Sequence, residues 1–395
     1  MRKISVRDLA LAGKRVFLRV DFNVPLESGS VADDTRIHAS LPTIRWVLEK
    51  GGRPILASHL GRPKGARNAA FSLAPVTQRL RSLLGVPVRF VADCIGAEAE
   101  AASRSLAPGE VLLLENLRFH PGEEKNDPEF ARHLAVLAEA YVNDAFGSAH
   151  RAHASVVALC ALLPPAGAGL LMEKELEFLG GLLETPARPY VAIFGGSKVS
   201  DKVPLVRNLL SRVDSILIGG AMAYTFLSAR GVSVGSSRVE KEGIAVAAGI
   251  LESAAKADVR IVLPVDHRVG TSLEDPGDGE ILPSQEIPEG RLGLDIGPAT
   301  SALFSREIAP AKTVLWNGPV GLFEKPPFDA GSRAVAEAIA ASGSLSVAGG
   351  GDTAAALTRF GLAERFRHVS TGGGASLEFL SGLTLPGVAA LANRG

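Results

Sequence analysis

Short runs of β-branched and large apolar residues recur along this chain, and almost every one stops on a glycine or a polar cluster. Up to residue 165 the runs are Val16–Phe22, Pro54–Leu60, Val88–Ala92, Val111–Glu115 and Ala140–Asn143. Beyond it they are Tyr190–Phe194, Ser215–Ile218, Arg260–Val265, Thr313–Trp316, Leu345–Ala348 and His368–Ser370. Amphipathic stretches lie between them. Phe130, Leu134 and Leu137 fall at i, i+4 and i+7, and Leu205 with Leu209 repeats the one-turn spacing. A strand that is apolar throughout is covered on both faces, and a helical stretch before the next strand supplies the cover. The pattern excludes an all-β or all-helical chain. It predicts an α/β fold of two Rossmann-like domains, each a parallel β-sheet flanked by helices, joined by an interdomain helix.

The seam is expected near residues 165–188. Pro164-Pro165 with Gly167 and Gly169 ends a domain of residues 1–167. Leu170–Leu183 reads as a helix, because Leu171, Glu175 and Phe178 stand about one turn apart. Residues 168–185 are then an interdomain helix and hinge, and residues 186–379 a second domain. Ala152–Met172 contains no Lys, Arg, Asp or Glu and is long enough for a membrane span. The two prolines in its middle predict a buried helix followed by a linker instead.

Charge narrows the partners. The chain has 42 Lys+Arg and 42 Asp+Glu among 395 residues. Zero net charge argues against nucleic acid or an anionic membrane as the partner. The balance is uneven, however. Residues 1–165 hold 21 basic against 17 acidic residues, and 16 of the 21 are Arg. Six of the eight His also lie there. Arginine offers a planar fork to carboxylate or phosphate, so this half is suited to a small anion; solvated surface arginine is the alternative for most of them. Cys94 and Cys160 form neither a disulfide framework nor a zinc site. The apolar run Leu9–Ala12 is too short for a signal segment. A cytoplasmic setting is expected.

In open parallel sheets, ligands bind beyond the carboxyl ends of the strands. In the first half those ends carry Asp21-Phe-Asn23, Ser58-His59-Leu-Gly-Arg62, Glu115-Asn116-Leu-Arg118 and Asn143-Asp144, with Ala149-His150-Arg151-Ala-His153 following. In the second half they carry Gly195-Gly196-Ser197-Lys198, Gly219-Gly220, Asn317-Gly318-Pro319, Gly349-Gly350-Gly351-Asp352-Thr353 and Thr371-Gly372-Gly373-Gly374. Glycine lets backbone N–H groups approach a phosphate closely. The expectation is an anionic small substrate on one domain and nucleotide phosphates on the other. No Walker A sequence occurs. Asp352 reads either as the N-cap of the next helix or as a Mg²⁺ ligand acting with substrate phosphates. Lys198 and Lys202, at i and i+4, read as a pair on one helical face. His59, His150 and His153 are either substrate contacts or structural hydrogen-bonders.

These residues resemble the phosphoglycerate kinase family along nearly the whole chain. The matching motifs are Arg19-Val-Asp-Phe-Asn-Val-Pro25, Asp34-Thr-Arg-Ile37, Ser58-His-Leu-Gly-Arg-Pro63, Glu115-Asn-Leu-Arg-Phe119 and Ala149-His-Arg-Ala-His153. They continue with Gly195-Gly-Ser-Lys-Val-Ser-Asp-Lys202, Trp316-Asn-Gly-Pro-Val-Gly-Leu-Phe-Glu324, Gly349-Gly-Gly-Asp-Thr353 and Ser370-Thr-Gly-Gly-Gly-Ala375. The resemblance implies that residues 1–167 bind 3-phosphoglycerate or 1,3-bisphosphoglycerate through Asp21, Asn23, Arg36, His59, Arg62, Arg118 and Arg151. It implies Mg-ADP or Mg-ATP on the second domain through Gly195, Lys198, Lys202, Gly219, Gly293, Asn317, Glu324, Gly351, Asp352 and Thr353, with Asp352 on the metal. It also implies a tail, residues 380–395, folded back on the first domain. Ser197, Leu322 and Ser332 depart from the commoner family residues without removing a charge, and residues 273–290 align with no function.

The implied reaction is reversible phosphoryl transfer between 1,3-bisphosphoglycerate and ADP after closure of the two domains. Its nucleophile is a carboxylate already ionised at neutral pH, so no general base is sought. Arg36, Lys198, Gly372 and Gly373 are the expected catalytic contacts to the transferring group. A monomer is expected, without nucleic-acid or membrane partners. A different two-lobed nucleotide-dependent transferase, or a two-lobed binding protein without turnover, are the competing readings.

Overall fold

The computed structural model describes residues 2–395. Two compact units emerge, one built from the chain up to Glu177 together with Thr384–Gly395, the other from Phe178–Leu383. The division falls inside a 15-residue helix, Leu170–Glu184.

The first unit contains β1 (Arg15–Arg19), β2 (Leu26–Glu27), β3 (Ser30–Val31), β4 (Arg53–Ala57), β5 (Val88–Val91), β6 (Val111–Leu114), β7 (Ala140–Asn143) and β8 (Gly167–Ala168). β2 and β3 make a small antiparallel pair, and the other six form a parallel sheet in the order β5-β6-β4-β1-β7-β8. β1 is central and all but its first residue are buried. The helix Thr35–Glu49 lays Ile37, Leu41, Ile44 and Val47 into the same core. Each such side chain contributes roughly 1.5–3 kcal/mol when fully buried.

The expected linker after Pro164-Pro165 is a strand instead. Gly167–Ala168 pairs with β7, and Ala168 also bridges to Ser5. Two residues are too few to show a strand pattern in sequence. Gly167 lets the side chain of Leu9 pack closely, since a Cβ there would lie 2.9 Å from Leu9 Cδ1. The uncharged stretch before it holds only the short helix Ala158–Leu162, and no helix among the described residues is long and apolar enough to cross a membrane. The end of the chain belongs to this unit. Ile4 N donates to Ala392 O at 2.8 Å, Ala392 N to Ala166 O at 3.0 Å, Arg394 N to Arg2 O at 2.9 Å and Gly387 N to Ala149 O at 2.8 Å.

The second unit contains β9 (Tyr190–Phe194), β10 (Ser215–Ile218), β11 (Arg260–Val262), β12 (His267–Gly270), β13 (Glu280–Leu282), β14 (Leu292–Ile296), β15 (Thr313–Asn317), β16 (Leu345–Gly349) and β17 (His368–Val369). Six of them form a parallel sheet, β11-β10-β9-β15-β16-β17. Its core gathers Trp316, Phe304, Val335, Ile339 and Leu357. The remaining three make an antiparallel sheet, β13-β12-β14, which the sequence pattern did not reveal. The unassigned stretch 273–290 is the connection and edge strand of that sheet.

Candidate active site

The first cluster forms where β1, β4 and β6 end. The chain leaves the ladder after Arg19, and the next residues turn their polar groups inward. Asp21 Oδ1 accepts from Asn23 N–H at 3.1 Å, and Oδ2 accepts from Arg36 Nη1 at 2.7 Å. Arg36 reaches it from the first turn of the helix Thr35–Glu49. Asn23 Oδ1 accepts from Gly61 N–H at 2.9 Å, joining the loop after β1 to the loop after β4. Arg118 sits in a single turn after β6 and donates through Nη1 to Gly61 O at 2.9 Å. The buried Arg19 brings Nη2 to 3.2 Å from His59 Nδ1.

The electrostatics follow from this crowding. Burial works against charge on Asp21, but the Arg36 and Arg19 guanidinia and the Asn23 N–H outweigh it and hold the carboxyl below its ordinary range. Burial, with Arg19, Arg118 and Arg36 nearby, pushes His59 well below its ordinary value, so the ring is neutral. His153 is driven down to about 3 by burial, then by Arg118, Arg19, Arg151 and His150. Arg118 is itself lowered, by burial and then by its cationic neighbours, against the pull of Glu124. A site in which cations depress one another is completed by an anion.

The second cluster forms at the ends of β9, β10 and β15, where three glycine turns meet backbone to backbone. A Cβ on Gly195 would lie 2.0 Å from Pro319 O, and one on Gly219 would lie 2.5 Å from Val320 Cβ. Gly196 N donates to Pro319 O at 3.0 Å and Gly220 N to Val320 O at 2.9 Å. Thr353 Oγ1 accepts from Gly318 N–H at 2.7 Å, and Asn317 Nδ2 donates to Gly349 O at 2.8 Å. Lys202 Nζ donates to Asn317 Oδ1. Burial lowers Lys202 to about 8, while Asp201 and Asp352 oppose the shift. Leu322 N donates to Leu294 O at 2.8 Å, which ties β14 and its Gly293 to this cradle. Gly293 is obligatory, because a Cβ there would meet Tyr224 Oη at 2.0 Å.

Comparison with known proteins matches residues 6–383 to the family model described as phosphoglycerate kinase. A phosphoglycerate kinase of Solibacter usitatus is 56% identical, over 99% of this chain and 100% of that protein. One of Moorella thermoacetica is 52% identical over the full length of both. The chain belongs to the phosphoglycerate kinase family. Solved structures agree: a phosphoglycerate kinase from Coxiella burnetii superposes with a TM-score of 0.89 at 41% identity, covering 98% of both chains. One from Pyrococcus horikoshii gives 0.81 at 33% identity, again over 98% of both. As a member of the phosphoglycerate kinase family the protein is a phosphotransferase.

Most residues implied by the phosphoglycerate kinase resemblance fall in these two clusters. Asp21, Asn23, Arg36, His59 and Arg118 are brought together. Arg62 and Arg151 are exposed; Arg62 follows Gly61, and Arg151 Nε lies 3.2 Å from His150 Nε2. Glu324 is exposed in the turn after β15. Gly373, with φ +53°, precedes the helix Gly374–Leu380, but Gly372 N–H already donates to Ser370 Oγ at 3.2 Å.

Two local readings are corrected. Lys198 and Lys202 do not share a helical face: Lys198 is exposed in a loop, and Lys202 closes a 3₁₀ turn before the helix Val203–Leu209. The glycines ahead of Lys198 delay the helix. Asp352 is not an N-cap. Gly350, at φ +95°, holds that position, which places Asp352 in the first turn of Gly351–Phe360. Its exposed carboxylate, beside a Gly351 with nothing within 4 Å of a Cβ position, fits a Mg²⁺ shared with phosphates. Asp93, Cys94 and His120 also converge within 4.8 Å. There the carboxylate is satisfied internally, by Cys94 N–H at 2.7 Å, His120 Nε2 at 2.6 Å and Arg67 at 3.0 Å.

Arg19, Ser155 and Glu123 were missed as site residues. The available signal was an arginine inside an apolar run. Tyr224, which shapes the Gly293 approach, gave none.

Proposed function

We propose that the protein transfers a phosphoryl group reversibly between the acyl phosphate of 1,3-bisphosphoglycerate and ADP, giving 3-phosphoglycerate and ATP. The observation that carries this reading is the pairing of a cationic pocket at the strand ends of one unit with a glycine cradle at the strand ends of the other. The pocket sets an acceptor-only group, Asp21, among Arg36, Arg118 and the neutral His59. That set suits a phosphorylated hydroxy acid: the cations take phosphate and carboxylate, and Asp21 accepts a hydrogen bond from the hydroxyl.

The substrate carboxylate is ionised without help, so the residues orient it and offset charge on a loose transition state. Arg36 stabilises the transferring group, Lys198 follows its oxygens, and Gly373 contributes a backbone donor. Lys202 and Thr353 fix the cradle through Asn317 and Gly318. Asp352 would hold Mg²⁺, whose charge screens the nucleotide phosphates. Direct transfer needs the reacting oxygens within about 3–3.5 Å, so the two units close on one another during turnover. The helix Leu170–Glu184, which runs from one unit into the other, serves as the hinge. Closure also keeps water from the acyl phosphate. The protein acts as a cytoplasmic monomer.

An assay with ATP and 3-phosphoglycerate, coupled to reduction of the acyl phosphate, tests the proposal. Turnover requiring both substrates and Mg²⁺ is expected. Calorimetric binding of one ligand alone, with no turnover, would instead make this a binding protein. Asp352→Ala is expected to weaken Mg-ADP at least tenfold, leaving metal-free ADP affinity within about twofold.

A further inference from the structure

We propose that Arg19 is a positioning residue that locks the His59 ring as its neutral Nε2–H tautomer, giving the site a hydrogen-bond donor that does not titrate. The inference deepens the function proposed above and rests on it for the identity of the anion that receives this donor.

Arg19 ends β1 with no exposed surface, and each of its nitrogens is committed. Nε donates to Ser155 Oγ at 2.9 Å, Nη1 donates to Val20 O, and Nη2 stands 3.2 Å from His59 Nδ1. A guanidinium has donors only. His59 Nδ1 therefore accepts, and the ring proton resides on Nε2. A protonated ring would set an N–H against a buried cation.

The lock is braced from behind. The Ser155 hydroxyl that accepts from Arg19 donates onward to Glu123 Oε1 at 2.6 Å. Ser155 N–H donates to Glu123 Oε2 at 2.9 Å, and Glu123 is fully buried. The carboxylate thus fixes the hydroxyl, and the hydroxyl fixes the guanidinium. The charged groups around His59 are Arg19 from β1, Asp21 just beyond it, Arg36 from the helix Thr35–Glu49 and Arg118 from the turn after β6. Asp21 is taken by Arg36 and Asn23 N–H. Nε2–H meets no acceptor among the described residues, although His59 is only 5% exposed. A neutral donor suits a pocket already rich in permanent cations, because it adds direction without adding charge.

The test is ¹⁵N NMR of histidine-labelled full-length protein without ligand, over roughly pH 5–8, the range in which an ordinary histidine titrates. His59 is assigned by its loss in His59→Gln. A single Nε2–H tautomer without titration is expected; an Nδ1–H tautomer, or titration near the ordinary value, overturns the proposal. In Arg19→Met the ring is expected to sample both tautomers and to titrate. The KM for 3-phosphoglycerate should rise at least tenfold above neutral pH and recover as His59 protonates, with kcat within threefold. In a His59→Gln background, where an amide donor needs no tautomer, the same Arg19→Met change should move KM less than threefold. An equal cost in both backgrounds makes Arg19 structural and overturns the proposal. If Arg19→Met does not fold, the wild-type spectrum still decides the tautomer, and Ser155→Ala replaces the variant. A correct tautomer with no histidine response to 3-phosphoglycerate would sink the substrate assignment and leave the tautomer standing.

Discussion

Gly195→Ala separates the two halves of the proposed chemistry, and its effect follows from distances. The added Cβ would lie 2.0 Å from Pro319 O, 2.5 Å from Gly318 O and 2.6 Å from Pro319 C. All are backbone atoms, so no rotamer change relieves them. Ordinary contact is about 3.5 Å, so the ends of β9 and β15 must part by more than about 1 Å. That movement breaks Gly195 N to Asn317 O and Gly196 N to Pro319 O, both 3.0 Å. Two such bonds contribute about 1 kcal/mol each, and overpacking adds roughly 1–3 kcal/mol. The total is about 3–5 kcal/mol. For a unit of this size, at about 2–4 °C per kcal/mol, the melting temperature falls by about 6–20 °C. Scanning calorimetry reads the fall, and titration calorimetry should show ADP binding lost while 3-phosphoglycerate binding persists. Gly196→Ala is the control: it has φ +92° but nothing within 4 Å of a Cβ position, so it adds backbone strain without the clash. A fall of under about 2 °C in Gly195→Ala with unchanged ADP affinity would refute the packing argument.

Arg36→Ala and Lys198→Ala should each lower turnover about 10²–10³-fold in the coupled assay, the usual loss for one transition-state donor, with unchanged circular dichroism. Activity within threefold of the parent removes these roles. Lys202, lowered to about 8, is charged below that pH and loses its charge above it. ADP affinity should weaken as pH rises from about 7 to 9, and Lys202→Met should flatten that dependence; a slope unchanged in the variant assigns it elsewhere. His153, at about 3 in the folded protein, stays neutral where the unfolded chain begins to protonate below about 6.5. Its stabilising contribution is present above 6.5 and is lost as pH falls toward 3. At pH 5.5 the loss is roughly 1 kcal/mol, so urea midpoints between pH 7 and 5.5 should fall less in His153→Gln.

All eleven apolar runs became strands, because burial on both faces writes itself as an unbroken hydrophobic segment. Six of their carboxyl ends were overextended, as in Val16–Phe22, where pairing in the parallel sheet stops at Arg19. The residues beyond are apolar and polar together because they build the pocket. β12, β13 and β14 escaped notice because β13 is short and contains no buried residue, and charged residues or glycine interrupt the apolar run in each of the others, Arg268 and Gly270 in β12 and Gly293 and Asp295 in β14. The glycine cradle was legible as composition, but its reason was not: the glycines answer to one another across turns far apart in sequence. Glu123 and Ser155 were illegible for the same cause. A buried acid and a serine are ordinary in sequence, and only the fold sets Arg19 between them and His59.

The return of residues 384–395 to the first unit has a consequence for how the molecule is made. The second unit, Phe178–Leu383, is one continuous stretch and is complete in itself once Leu383 has left the ribosome. The first unit starts earlier and finishes later. Its edge at Ile4 and Ala166 lacks Ala392, and Arg2 lacks Arg394, until the last residues emerge. The usual N-terminal-first order of domain completion therefore does not apply to the first unit. The two ends of the chain also lie side by side, Lys3 bridging to Asn393, so a short linker joining them would permit new termini elsewhere without reordering either sheet.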